Sequence, residues 1–347
     1  MSPTRASRCI ATLIAPTFAI CVAASDAGAQ QASASTAAPA TTGTWTDPSH
    51  HRVRMITVAP KVSLEVLDWG GTGEPVVFLA GLGNSAHVFD DFAPQFTDRF
   101  HVLAITRRGY GASTQPASGY DVRTLAADIR AVLDTLRLER VTLVGHSIAG
   151  DELTKFGSTY PERTAKLVYL DAAHDRTALP TLFLQAPIPA PPPILAADSV
   201  SPAAVRAYIV RAFGMLVPEA EVRATAVFGP TGRYLRDVTP DSIGTAIVAG
   251  VEHPAYARIA VPALAFYAVA DSVPDLIAGY AALDSAGRAA AQKVFGVFTP
   301  FARSAREQFQ REVKQGRVIE LHGAHHYVFI SNATEVAREM RAFLLAQ

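Results

Sequence analysis

Three short, continuous apolar runs constrain the fold of this chain most strongly. They are Val76–Ala80, Val102–Ile105 and Val141–Val144. Strands that are apolar on both faces are typical of a parallel sheet that helices cover on both sides. Between the second and third runs, residues Val122–Leu136 carry apolar side chains at helical spacing. This alternation of strand and helix predicts a doubly wound α/β sheet.

Further segments extend this pattern. Val62–Leu67 alternates apolar and polar residues, which predicts a half-exposed antiparallel strand at the edge of the sheet. Three later strands are predicted at Leu167–Leu170, Ala263–Tyr267 and Arg317–Leu321. The last periodic segment, Glu335–Leu345, reads as an amphipathic terminal helix.

The alternation of strands and helices fails in the middle of the chain. Five prolines crowd residues 187–193, and only irregular helical patches follow them. We therefore predict a cap inserted after a strand of the sheet, at residues 172–257. The α/β core then consists of residues 52–171 and 258–347.

The N-terminus differs from the rest of the chain. A basic start precedes an uncharged, mostly apolar stretch at residues 9–24, and Ala27-Gly28-Ala29 has the small side chains that signal peptidase requires. This pattern predicts a secretory signal at residues 1–29 and a periplasmic or secreted protein; an uncleaved membrane anchor is the alternative. Residues 30–51, rich in Ala, Ser, Thr and Pro, read as a disordered lead-in.

Composition limits the class of partner. The chain has 31 basic and 31 acidic side chains, so it has no net field that attracts a polyanion, and nucleic acid is not expected. Cys9 and Cys21 are the two cysteines, and both lie in the predicted signal. The mature protein is therefore expected to lack disulfides. After cleavage of the signal it is expected to have no stable membrane insertion, and its expected partner is a small molecule. Its oligomeric state cannot be read from the sequence.

The segment Gly145-His146-Ser147-Ile148-Ala149-Gly150 follows the third apolar run and precedes a helical pattern. Ser147 thus sits on a strand-to-helix turn, which needs small residues two before and two after the serine. Gly145 and Ala149 fill these places. The start of the helix directs free N–H groups at developing negative charge, so the N–H of Ile148 is a candidate oxyanion donor. Leu82, in the glycine-rich loop after the first apolar run, is the candidate second donor.

A nucleophilic serine on such a turn needs an acid and a histidine later in the chain. Asp271 follows the predicted strand at 263–267, and His326 follows the predicted strand at 317–321. The rivals of Asp271 are Asp275, which lies close by in the same segment, and Asp171, at the end of the strand after the serine; Asp171 is the main alternative acid. The cluster of His322, His325 and His326 could instead suggest zinc, but no motif supplies the remaining ligands, so no metal is expected.

Two acidic residues, Asp151 and Glu152, fall in the first turn of the helix after Ser147. There they interact favourably with the helix dipole; alternatively, Glu152 lies beneath the site and holds a loop by hydrogen bonds. Arg107 and Arg108 are expected to brace their turn by pairing with a carboxylate.

Together these motifs resemble the α/β-hydrolase superfamily over roughly residues 60–171 and 258–347. The segments that carry the resemblance are Val76–Gly81, Arg107–Ser113, Leu143–Ser147, Asp271 and Gly323–His326. The resemblance implies a mostly parallel eight-stranded sheet with helices on both faces, no cofactor, and a triad of Ser147, Asp271 and His326. Serine rather than aspartate at position 147 argues against the haloalkane dehalogenase and epoxide hydrolase branches.

The expected function is therefore that of an exported serine hydrolase. It would cleave an ester bond of a small, apolar substrate through an acyl-enzyme. Amide, peptide or C–C bond hydrolysis by the same triad is the main alternative, and a binding protein without turnover is a further one.

Overall fold

An eight-stranded sheet forms the centre of the protein. The computed structural model describes residues 45–346. The strands of this sheet are β1 (Arg52–Ala59), β2 (Val62–Gly70), β3 (Pro75–Leu79), β4 (His101–Ile105), β5 (Val141–His146), β6 (Thr164–Leu170), β9 (Ala263–Val269) and β10 (Gly316–His322), with β7 (Ala226–Phe228) and β8 (Tyr234–Asp237) forming a separate hairpin. Their order in the sheet is β1-β2-β4-β3-β5-β6-β9-β10, and β2 runs in the direction opposite to that of the other seven strands. This confirms the predicted mostly parallel, eight-stranded α/β sheet.

Helices cover both faces of the sheet. They are α1 (Val122–Leu136), α2 (Ala149–Thr159), α3 (Leu179–Gln185), α4 (Pro202–Phe213), α5 (Glu219–Thr225), α6 (Asp241–Ala249), α7 (Val273–Leu276), α8 (Ser285–Glu312), α9 (Val328–Ser331) and α10 (Ala333–Leu345). Along β3, Val77 and Leu79 face a core that includes residues of α1, α2 and α8. Val76 and Phe78 face the opposite core, which includes residues of α9 and α10. Side chains that alternate between two buried faces explain why the strands are continuous apolar runs.

The edge of the sheet differs from the sequence prediction. β2 was expected to be a half-exposed edge strand, but it is almost wholly buried. The prediction is wrong because β1 pairs along the outer side of β2 and takes the edge position. Polar groups on β2, such as Glu65 and Asp68, are therefore buried rather than solvated.

The segment between β6 and β9 contains α3 to α6 and the hairpin β7–β8. It overlaps the predicted cap, whose bounds at residues 172–257 stay a prediction. Residues 45–51, the end of the predicted lead-in, contact the sheet: the Trp69 indole donates a hydrogen bond to the Ser49 hydroxyl at 3.0 Å. The predicted signal at 1–29 and the rest of the lead-in lie outside the described residues. Between residues 45 and 346, no helix has the length and apolar character needed to cross a membrane.

Candidate active site

Ser147 lies on a sharp turn between β5 and α2. Its backbone φ is 54°, in the left-handed region that non-glycine residues rarely adopt. The turn is crowded: a side chain at Gly145 would place its Cβ 2.6 Å from Leu153 Cδ1 and 3.1 Å from Ala149 Cβ. The small residues on either side of Ser147 are thus required by packing, as the sequence motif predicts.

His326 contacts both Ser147 and a carboxylate. Its Nε2 lies 2.9 Å from Ser147 Oγ, and its Nδ1 lies 2.6 Å from Asp171 Oδ2. The His326 side chain is 37% exposed and that of Asp171 is 10% exposed, so the serine end of the arrangement is open and the acid end is buried. The geometry is that of a nucleophile, a base and an orienting acid.

The acid differs from the one expected. Asp271 does not contact His326; its carboxylate accepts a hydrogen bond from His322 Nδ1 at 2.9 Å, and its side chain is 56% exposed. The prediction of Asp271 as the partner of His326 is therefore wrong, and the alternative, Asp171, holds that position. The reason is strand order: β6 is the direct neighbour of β5, so its end adjoins Ser147, whereas β9 lies one strand farther away.

Asp171 directly follows β6 with a backbone φ of 47°. Its other oxygen, Oδ1, accepts a hydrogen bond from the Ala268 N–H of β9 at 3.1 Å. Burial by itself would raise the pKa of Asp171, but the hydrogen bond and positive charge of His326 outweigh burial and lower that pKa. Asp171 is therefore held as a carboxylate beside the imidazole.

Two N–H groups are available beside Ser147. Within the described part of the chain, the N–H groups of Leu82 and Ile148 donate no hydrogen bond. The loop that carries Leu82 passes close to the serine, since a side chain at Gly81 would place its Cβ 3.2 Å from Ser147 Cβ. Ile148 precedes α2, where free N–H groups and the helix dipole favour negative charge. The assignment of Leu82 and Ile148 as oxyanion donors stays a prediction, with which these two features agree.

A buried ion pair holds the loop that carries Leu82. Arg107 Nε donates to Glu152 at 2.5 Å, and the same guanidinium donates to the carbonyls of Ala80 at 2.8 Å and Gly81 at 3.3 Å. In a trans peptide the carbonyl of Gly81 and the N–H of Leu82 point in opposite directions. Arg107 therefore fixes the direction of the Leu82 N–H. Glu152 supports the loop through Arg107, as the second of its two sequence-based interpretations proposed.

A second buried carboxylate, Glu221, holds the other end of this loop, and sequence reasoning missed it. Glu221 lies on α5 and accepts hydrogen bonds from Asn84 Nδ2 at 2.9 Å, from the Ser85 N–H at 3.1 Å and from Ser85 Oγ at 2.5 Å. Asn84 in turn accepts a hydrogen bond from the Tyr327 hydroxyl at 2.9 Å. One carboxylate thus links α5 to the loops that carry Leu82 and His326. Burial raises its pKa to about 7, although these hydrogen bonds favour the ionised form.

The other histidines near the site have separate partners. His146 is buried, burial lowers its pKa well below the usual value, and its Nε2 lies 3.2 Å from the His326 carbonyl. His325 Nδ1 accepts the Tyr327 N–H at 3.1 Å, and burial lowers its pKa to about 4. Both are neutral and support the loop that carries His326. Because His322, His325 and His326 have different partners, they do not converge as a metal site.

Comparisons with known proteins agree with this fold. Residues 74–192 match the sequence profile of the family described as alpha/beta hydrolase fold. The chain is 36% identical to a non-heme chloroperoxidase from Streptomyces lividans over 34% of this chain and 44% of that protein. It is 31% identical to a 2-(acetamidomethylene)succinate hydrolase from Mesorhizobium japonicum over 29% of this chain and 36% of that protein. The matches thus span less than half the length of these curated relatives.

The structure is similar to that of a probable hydrolytic enzyme from Pseudomonas aeruginosa PAO1, with a TM-score of 0.61 and 18% identity. This similarity covers 87% of the present chain and 96% of the other. At such identity it establishes the fold alone. The sequence profile matched at residues 74–192, the strand order and the serine turn agree with one another, and the chain has the α/β-hydrolase fold.

Proposed function

We propose that the protein is a serine hydrolase that cleaves an ester through an acyl-enzyme. His326 takes the proton of Ser147 as Oγ attacks the ester carbonyl, while Asp171 holds the imidazole tautomer and stabilises its charge. The N–H groups of Leu82 and Ile148 bind the oxyanion. The C–O bond breaks, His326 gives its proton to the leaving alcohol, and water activated by His326 then releases the acid.

The observation that carries this proposal is the contact of His326 with both Ser147 Oγ and Asp171. An inactive member of the fold would have no need to keep three groups at hydrogen-bonding distance beside two free N–H donors. The side chains of Leu82 and Ile148 belong to one apolar cluster with Ile243 and Ile247 of the segment between β6 and β9. We propose a small, apolar substrate because the side chains that surround the two donors are apolar.

Hydrolysis of an amide or of a C–C bond by the same triad is the alternative, and one matched relative is named as a 2-(acetamidomethylene)succinate hydrolase. Matched pairs of esters and amides that share one short acyl group separate these functions. We expect kcat/KM to be at least about 100-fold higher for the ester of each pair, a difference of about 2.7 kcal/mol. Higher kcat/KM on the amides would favour an amidase. No turnover of either would favour C–C bond hydrolysis if a fluorophosphonate labels Ser147, and a binding protein if it does not.

We also propose that the protein is exported, with cleavage after Ala29. The support is the small-residue pattern at 27–29 after an uncharged apolar stretch. Mass spectrometry of protein from the periplasm or the medium should give Gln30 as the first residue. Full-length chain in the membrane fraction would contradict cleavage and favour an anchor.

A further inference from the structure

Two imidazoles and two carboxylates that take no part in the Ser147 site form a close cluster. Asp47 and His51 come from the segment before β1, while His87 and Asp90 come from the short turn after β3. One ligand atom of each side chain lies within 4.8 Å of all the others. Nothing in the proposed hydrolytic mechanism uses these four residues.

The separations between these atoms suit a small tetrahedral ion. His87 Nδ1 lies 2.9 Å from Asp90 Oδ2 and 3.5 Å from Asp47 Oδ2. His51 can offer only one of its nitrogens to an ion: Nδ1, which lies 3.4 Å from Asp90 Oδ1, or Nε2, which lies 3.8 Å from Asp47 Oδ2. Nitrogen and carboxylate ligands about 2.1 Å from a tetrahedral zinc ion are about 3.4 Å from one another. The observed separations lie on both sides of that value.

One oxygen of the cluster makes no well-formed hydrogen bond, and its nearest polar neighbour is an imidazole of the cluster itself. The Asp90 side chain is 2% exposed, yet among the described residues its Oδ1 accepts no hydrogen bond. His51 Nδ1, 3.4 Å away, lies 3.3 Å from the Ser49 hydroxyl. A buried carboxylate oxygen without a partner costs about 1–3 kcal/mol or more. Since this oxygen points into the cluster, the cost would be removed by a cation bound there.

We propose that Asp47, His51, His87 and Asp90 bind one divalent transition-metal ion, and that zinc is the ion which this donor set fits best. Two imidazoles with two carboxylates form a closed four-ligand set, as in structural rather than catalytic zinc sites. The hard oxygen-only sets that magnesium and calcium prefer are not present here.

Two features around the cluster support the assignment. His87 Nε2, the nitrogen that faces away from Asp90, lies 3.8 Å from Glu65 Oε1. Imidazoles that bind metal through one nitrogen commonly direct the other at a carboxylate, which fixes the ring orientation. A cavity of about 560 Å³ is lined by Asp47 and Asp90, so it borders the carboxylate side of the cluster.

The bound ion would join two parts of the chain. It would fasten residues 47–51 to the turn at 86–90, which directly follows the loop that carries Leu82. Because an unfolded chain does not present this geometry, metal binding would add to the free energy of unfolding. The proposal is independent of the hydrolytic activity.

Calorimetric titration of the full chain, first treated with a chelator and then with zinc, tests the proposal. We expect one zinc ion per chain, a higher Tm, and visible absorption of four-coordinate cobalt when cobalt replaces zinc. His87→Gln and Asp90→Asn should each weaken zinc binding by at least about 100-fold. His253→Gln is the matched control because it removes the imidazole of an exposed His–Asp pair with Asp175, and it should leave binding unchanged.

Three results would overturn the proposal: wild-type protein without stoichiometric zinc binding, a cobalt complex with the spectrum of the hydrated ion, or equal zinc affinity in His87→Gln and wild type. The first two need no variant, so they remain decisive if a substitution in the cluster prevents folding.

Discussion

Ser147 and Asp171 have the same unusual backbone, with φ values of 54° and 47°, and each directly follows a buried parallel strand. Such conformations cost of order 1–3 kcal/mol each and persist where the surroundings enforce them. For Ser147 the sequence shows the constraint, since small residues flank it. For Asp171 it does not, because Asp171 and Asp271 each follow a strand and only the order of strands in the sheet decides which one reaches His326.

Two variants can show whether Asp171 or Asp271 is the acid that orients His326. Asp171→Asn should lower kcat/KM on an activated ester by of order 10⁴-fold, because an amide no longer holds the required imidazole tautomer. Asp271→Asn should change it less than about threefold, since that side chain is exposed and pairs with His322. Steady-state kinetics on both folded variants checks this, and the reverse ranking would return the acid to Asp271.

Among the elements, α5 has the contact that sequence reasoning could least foresee. Glu221 lies 136 residues from Ser85, and its neighbour Glu219 has the same charge on the same short helix. Only the tertiary structure buries Glu221, where it accepts hydrogen bonds from Asn84 and Ser85. Glu219 pairs instead with Arg223 of the same helix. Local pattern identified α1 correctly because its apolar stripe is a property of the helix itself.

The two glutamates of α5 form a matched pair for experiment. Glu221→Ala should lower the free energy of unfolding by about 1–3 kcal/mol, because the donors on Asn84 and Ser85 lose their acceptor. It should also lower kcat, since the loop with Leu82 loses one anchor. Glu219→Ala should cost under about 0.5 kcal/mol, as the loss of a helical ion pair four residues apart does. Urea unfolding and kinetics on both variants measure this; equal effects would contradict the anchoring role.

On the scale of the whole molecule, the sequence was sufficient for the sheet, because apolar runs and turns are local signals. The sequence did not predict that β1 occupies the edge of the sheet, nor did it predict the long helix α8. This helix contains Pro300, and its exposed face weakens any apolar pattern. The same distinction applies to the residues of the candidate site. Sequence motifs predict Ser147, His326, Leu82 and Ile148. The carboxylates Asp171 and Glu221 depend on which elements become neighbours.

The pH dependence of the free energy of unfolding should include the titration of Glu221. Burial raises the pKa of Glu221 to about 7 in the folded protein, so the folded state holds this proton more tightly than the unfolded state does. The resulting contribution to the free energy of unfolding is complete below about pH 4.5 and is lost as pH rises through about 7. Glu221→Gln cannot lose a proton. Between pH 5 and pH 8 the free energy of unfolding should therefore fall more steeply in wild type than in the variant.

Comparison of the two proteins isolates this group, because Asp151, whose pKa burial also raises to about 7, is present in both. Urea unfolding at several pH values gives the two curves. Parallel curves would show that Glu221 is already ionised in the folded protein throughout this range.

Covalent labelling can show whether Ser147 is an activated nucleophile, because a fluorophosphonate reacts with a serine only when a base and oxyanion donors activate it. We expect one adduct per chain, located on Ser147 by peptide mass spectrometry, and none in folded Ser147→Ala. Intact wild-type protein that stays unlabelled, or that is labelled at another serine, would contradict this expectation.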